Sequence, residues 1–388
     1  MQLKSVMKKV ILLFCGLLPL KRQYIVFESC PELDGSPWMM YLALKSRGFE
    51  KKYKLVWLVD AGYYNIRSDV ITIPFFGKCG LLKKLFGYMV IARAKVIVDS
   101  NRFVQKINPK TYRLYTQHGA PLKITYAYTY NLGEVDMLLS LSENMAFLEK
   151  SYYPSAEGKI VALGFPSNDR LFEYKDLKFF WEKLTNKEIK YKKIIGWLPT
   201  YRQHKKKSTL DSNIVFPFGV PLLKEDGDFA QLNDFLKAED VLLVIQMHHA
   251  QAKNFPNQNY SNIVLVRQDL KQELNVSTAD LMRNFDAMIT DYSAAYYEYI
   301  LLDRPVALSV DDFDDFSRNP GFGIDYFDWI KGVYLKTSSD LIHFVKDVTN
   351  DIDSARISRQ TALSRIHKYV DNNSTQRVVD YLEKKVQL

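Results

Sequence analysis

Short apolar runs alternate with mixed stretches along most of the chain, and each run ends on polar residues. Residues 24–27 form an aromatic-aliphatic run that stops at Glu28-Ser29, which predicts a buried strand. A helix follows, with Ser36 as N-cap, Pro37 at its first position and Gly48 as its stop. Runs at 55–59, 70–74 and 96–99 predict three further strands, with a helix over 81–94 before the last. Residues 112–115 predict a strand that leads into Thr116-Gln117-His118-Gly119-Ala120-Pro121. Strands at 135–141 and 159–163 bracket a helix that starts at Glu143. The charged stretch 173–193 predicts a helical crossing between domains. The alternation then restarts, with strands at 193–197, 241–247, 263–266, 287–290 and 305–310. Helices are predicted over 229–238, up to 285 and over 294–302, and the chain past Ser339 is mostly helical.

Apolar strands alternating with helices indicate parallel sheets covered on both faces. The expected fold class is α/β, as two doubly wound Rossmann-like domains facing a cleft. The expected division is a membrane-associating helix over 1–22, a first domain over 23–180 and a second over 181–388. Open sheets of this kind bind ligands beyond the carboxyl ends of their strands.

Composition narrows the partners. A net charge of +9 points to nucleic acid, a phospholipid surface or a phosphorylated substrate. No zinc knuckle or RNP-type motif is present, so nucleic acid is not expected. Cys15, Cys30 and Cys79 are scattered, with neither a disulfide framework nor metal spacing, and no metal site is expected. Three lysines within residues 1–9 precede an apolar run at 10–20 that is too short to span a bilayer. It predicts a helix lying on an anionic membrane surface; a core-packed helix is the alternative.

Several strand ends carry reactive residue types. His118 stands where a strand leaves a sheet, beside a glycine that permits a tight turn; an ordinary turn histidine has the same appearance. His248 closes the run at 241–247 and can donate to a phosphate or take a proton. Arg202 follows Leu198-Pro199-Thr200-Tyr201, and a guanidinium binds phosphate oxygens in pairs. Ser293, in Asp291-Tyr292-Ser293, can cap the next helix, whose first N–H groups would then face a ligand. The acidic stretch at Asp311-Asp312 and Asp314-Asp315 reads as solvent-exposed or as contacting substrate hydroxyls.

Taken in order, these pieces resemble the CDP-glycerol glycerophosphotransferase family of teichoic-acid primases and polymerases. The matching stretches are Glu28-Ser29, Gln117 to Lys123, Gly164-Phe165-Pro166-Ser167-Asn168-Asp169 and Leu198 to Arg202. They continue with Ile245-Gln246-Met247-His248, Thr290 to Ser293 and Leu302-Asp303-Arg304-Pro305. The resemblance implies a GT-B fold and transfer of glycerol phosphate, or ribitol phosphate in relatives, from a CDP-alditol to a hydroxyl. The acceptor would be a lipid-linked saccharide or a growing teichoic-acid or capsule polymer, with CMP released. It implies His118 as catalytic base and His248 as pyrophosphate ligand or acid. Arg202, Thr200, Asp291 and Ser293 would hold the phosphates, and Gln117, Gly119, Lys123, Asn168 and Asp169 the acceptor side. No cofactor is implied besides the CDP-alditol substrate, and the expected location is the cytoplasmic face of the cell membrane, held peripherally. The chain departs from the usual family pattern at Ala120, His249 and Ala294, and its length resembles a single-module primase or capsule transferase. The competing readings are a GT-B glycosyltransferase using a nucleotide sugar and a non-catalytic membrane- or polyanion-binding protein.

Overall fold

A computed structural model describes residues 22–63, 67–123, 132–188, 190–200, 214, 216–225, 227–247, 252, 255–256, 260–318 and 321–388. Most of the proposed N-terminal helix, Arg202, the basic loop 203–213 and His248 lie outside the described residues.

The chain divides into two compact units. The first holds residues 1–120, 130–169 and 371–388; the second holds 121–129 and 170–370. The first contains β1 (Tyr24–Glu28), β2 (Lys54–Asp60), β3 (Ile71–Phe76), β4 (Ala94–Asp99), β5 (Tyr112–Tyr115), β6 (Met137–Ser140) and β7 (Ile160–Ala162). They pair in parallel in the order β3-β2-β1-β4-β5-β6-β7. Every residue of β1 is buried, as expected of a central strand covered on both faces. Phe27 stacks on Trp57 at 5.5 Å, and Tyr41 meets Phe27 edge-on at 5.4 Å, which joins the helix Gly35–Ser46 to the sheet.

The second unit contains β8 (Lys193–Trp197), β9 (Val241–Ile245), β10 (Ile263–Leu265), β11 (Ala287–Thr290), β12 (Val306–Ser309) and β13 (Val333–Leu335). These are also parallel, in the order β10-β9-β8-β11-β12-β13. Trp197, Ile289, Leu243 and Phe229 are buried in one apolar cluster over this sheet.

The structure departs from the sequence reading in three places. The helical crossing expected over 173–193 is only Lys178–Thr185, because Asn186 turns left-handed at φ 55° and ends it. The edge strand β13 is an addition, too short to stand out in the sequence. The final helix, Ser374–Val386, falls in the first unit, whereas the sequence reading put it with the second. Two contacts explain that return. Arg47 forms ion pairs with Asp380, at 2.8 Å, and with Glu383. Asp169 accepts hydrogen bonds from the backbone N–H groups of Ser374 (2.9 Å) and Thr375 (2.8 Å), capping the helix from a distant loop.

Candidate active site

In both sheets the strand order reverses direction beside a central strand, between β1 and β4 and between β8 and β11. Those are the crevices where ligands bind in such folds.

At the first crevice Glu28 ends β1 and is fully buried. Its Oε2 accepts from the N–H groups of Ser100 (3.3 Å), Asn101 (3.1 Å) and Arg102 (3.1 Å). Burial, helped by the nearby Asp99 charge, raises its pKa to about 7, and the three N–H donors oppose that rise. Asp99 ends β4 and is gripped bidentately by the buried Arg113, at 2.6 and 3.0 Å. Arg102 pairs with Glu32 at 2.7 Å. Around this knot Glu28 Oε1, Glu32 Oε2 and Arg102 Nη1 are buried with no hydrogen-bond partner.

One strand further along, β5 delivers His118. Thr116 N–H donates to the Asp99 carbonyl at 2.8 Å, which ties the strand end to β4. Gln117 and Gly119 both have positive φ, 62° and 139°. Glycine tolerates this region; for glutamine it costs about 1–3 kcal/mol, so the surroundings must hold it there. The Gln117 side chain points inward and donates to the Leu139 carbonyl (2.7 Å) and to Glu149 Oε1 (2.9 Å). His118 between them is exposed to solvent. Surrounding protein lowers its pKa from the usual 6.5, and the charge of Asp34 works the other way. Because the ring meets solvent, water screens both influences.

At the second crevice β8 and β11 are clamped by Thr200 and Asp291. Asp291 is fully buried, and its carboxylate accepts from Thr200 N–H at 2.9 and 3.0 Å and from the Thr200 hydroxyl. Tyr326 donates its hydroxyl to the Asp291 carbonyl at 3.1 Å. The neighbouring Tyr292 donates to Asp312 at 2.9 Å and packs on Phe316, with ring centroids 4.2 Å apart. Ser293 is half-buried and its hydroxyl accepts from Ala295 N–H at 3.2 Å; the helix Ala295–Tyr299 takes Ala294 as its N-cap, so Ser293 stands one residue before the capping position expected of it. A concavity of about 390 Å³ lined by Lys193, Asp286, Arg304 and Pro305 lies at the opposite, amino edge of this sheet, away from these groups.

Residues 11–384 match the family described as CDP-glycerol:poly(glycerophosphate) glycerophosphotransferase. The chain belongs to that family. It is 27% identical to the teichoic acid poly(ribitol-phosphate) polymerase of Bacillus spizizenii, over 94% of this chain and 57% of that protein. It is 24% identical to the teichoic acid poly(glycerol phosphate) polymerase of Bacillus subtilis, over 88% of this chain and 46% of that one. The chain thus spans about half the length of these two relatives. A solved structure of the wall teichoic acid polymerase TagF superposes with a TM-score of 0.73 at 19% identity, covering 95% of this chain and 90% of that one. The chain therefore has a GT-B-like α/β fold with two parallel sheets.

Within this chain the residues expected at the site fall into two groups. His118, Gly119 and Ser293 stand at strand ends with access to solvent. Gln117, Asp169, Thr200 and Asp291 are buried and hydrogen-bonded to protein partners. Asn168 is buried beside Asp169. Lys123 falls in the second unit, bridged to Phe322 and 5.4 Å from the Phe316 ring. The acidic stretch is also resolved: Asp312 is buried under Tyr292, and Asp314 and Asp315 are exposed on the helix Phe313–Arg318. The sequence reading missed Glu149, Arg102, Glu32 and Tyr326. None carried a local signal: even Glu149 stands beside Lys150 and Ser151 in a predicted helix, where an acidic residue reads as surface. Among the described residues no group of three or more His, Cys, Asp or Glu could hold a metal ion.

Proposed function

We propose that the chain transfers glycerol phosphate or ribitol phosphate from a CDP-alditol to a hydroxyl of a lipid-linked saccharide or growing polymer, releasing CMP. The observation that carries this reading is His118: a solvent-exposed imidazole on a turn held rigid from behind, at a strand carboxyl end, in a chain of this family. Its lowered pKa favours the neutral ring near pH 7, the form that accepts a proton. The acceptor oxygen forms a bond to the alditol-bearing phosphorus as the bond to the CMP oxygen breaks. The hydroxyl proton passes to the His118 ring, and CMP takes the electron pair. Arg202 and His248 would meet the charge growing on the leaving phosphate. Such catalysis is positioning plus electrostatic stabilisation.

The enzyme would work at the cytoplasmic face of an anionic membrane. Among the described residues no helix is long and apolar enough to cross a bilayer. The helix Leu81–Ala92 buries Gly87, Val90 and Ile91 and exposes Leu81, Leu82, Phe86 and Met89 on its other side, with Lys78 exposed just before it. An apolar row next to basic residues suits a lipid headgroup boundary. Leu82→Glu with Phe86→Glu should lower recovery on anionic vesicles; unchanged sedimentation would count against this surface.

The activity is tested with a donor panel of CDP-glycerol, CDP-ribitol and two nucleotide sugars, each with lipid-linked acceptors. Acceptor-dependent CMP release from one CDP-alditol is expected. Turnover of a nucleotide sugar alone would replace this reading with a glycosyltransferase.

A further inference from the structure

The turn that presents His118 is held by a buried pair with no part in the reaction as described so far. Gln117 carries two amide hydrogens, and both have acceptors: the Leu139 carbonyl on β6 and Oε1 of Glu149 on the helix Ala146–Tyr152. Gln117 is 3% exposed and Glu149 is fully buried, so water cannot take over either bond. The residue being held is the one with the unfavourable left-handed backbone, immediately before the imidazole. An apolar side chain at position 149 would leave one buried N–H without an acceptor, and the left-handed conformation would lose its anchor.

A neutral acceptor would satisfy the same amide hydrogen, yet the position holds a carboxyl. Its second oxygen, Oε2, is buried without a hydrogen-bond partner, as is Gln117 Oε1. The groups facing the carboxyl are Gln117 from the turn and Ser140 from β6, both uncharged. Burial raises the Glu149 pKa to about 7, while Ser140 and Gln117 pull it down. The acceptor behind His118 therefore changes strength near neutral pH, since an ionised carboxylate accepts a hydrogen bond more strongly than the acid does.

We infer that Glu149 is a positioning residue: acting through Gln117, it fixes the left-handed turn that aims the His118 imidazole. It touches neither substrate nor the reacting atoms. The inference rests on His118 being the base.

The test is an NMR titration of the His118 ring in the full chain, for wild type, Glu149→Gln and Glu149→Leu, beside kcat and KM for CMP release. Wild-type His118 should show a second inflection near pH 7 in addition to its own titration. Glu149→Gln keeps an acceptor oxygen but cannot ionise, so the second inflection should vanish while kcat falls less than about threefold. Glu149→Leu should lower kcat at least about tenfold, with KM for the CDP-alditol within about twofold. A second inflection that persists in Glu149→Gln, or full kcat in Glu149→Leu, would overturn the assignment. Should Glu149→Leu fail to fold, the Glu149→Gln titration decides alone. A wild type that releases no CMP from any donor defeats the reading of His118 as base, and the titration still reports whether Glu149 governs the turn.

Discussion

The two crevices have the same topology and opposite chemistry. At the β8/β11 crevice the buried acid is closed off: Asp291 has Thr200 on its carboxylate and Tyr326 on its carbonyl. At the β1/β4 crevice and the His118 turn beside it, buried acids are left partly unpaired. Glu28 and Glu149 each keep one oxygen without a hydrogen-bond partner, and both have pKa values raised to about 7. One edge is built as a fixed clamp. The other carries groups that change protonation near neutrality, as expected where a proton has to be moved.

The largest effect should come from breaking the clamp. Asp291→Ala strands the Thr200 N–H and hydroxyl in a buried site, at about 1–3 kcal/mol for each unsatisfied group. Urea unfolding should therefore show a loss of about 2–6 kcal/mol, with Asp291→Asn less affected. A loss below about 1 kcal/mol would mean that the second edge is not a clamp.

A smaller, pH-dependent effect should mark the first edge. The Glu149 pKa rises from 4.5 to about 7 on folding, so the folded chain holds that proton more tightly than the unfolded one. The stability linked to it is fully present below pH 4.5 and is lost as pH rises to about 7. Glu149→Gln escapes that loss. Each tenfold difference in proton affinity between the folded and unfolded chain is worth about 1.4 kcal/mol. Relative to wild type, Glu149→Gln should therefore gain about 3–4 kcal/mol between acid and mildly alkaline conditions. Urea unfolding of both proteins across that range measures it, and a pH-independent difference would show that the two edges do not differ in this way.

The contrast also shows what a sequence discloses. Strand ends were legible because an apolar run must stop where a buried strand meets water, and residues 112–115, 193–197 and 287–290 are strands with those same bounds. The places of His118, Thr200, Asp291 and Ser293 just past strand ends were legible in that way. Which way each side chain faces was not legible, since that depends on partners far along the chain. Gln117 turns inward because Glu149 lies 32 residues later. Asp169 caps a helix 205 residues away. Glu28 and Arg102 come together across 74 residues. A local pattern marks where a polar residue sits, while these partners decide whether it is offered to a ligand or used to hold a loop.

His118 is the residue on which the proposed reaction depends most. The direct measurement is acceptor-dependent CMP release from CDP-glycerol and CDP-ribitol by wild type and His118→Ala, with folding of the variant verified by its unfolding curve. A positioned base contributes about 10²–10⁴-fold, and kcat should fall by that factor with either effective donor. A folded His118→Ala that releases CMP at near the wild-type rate would contradict the assignment of the exposed imidazole as the base.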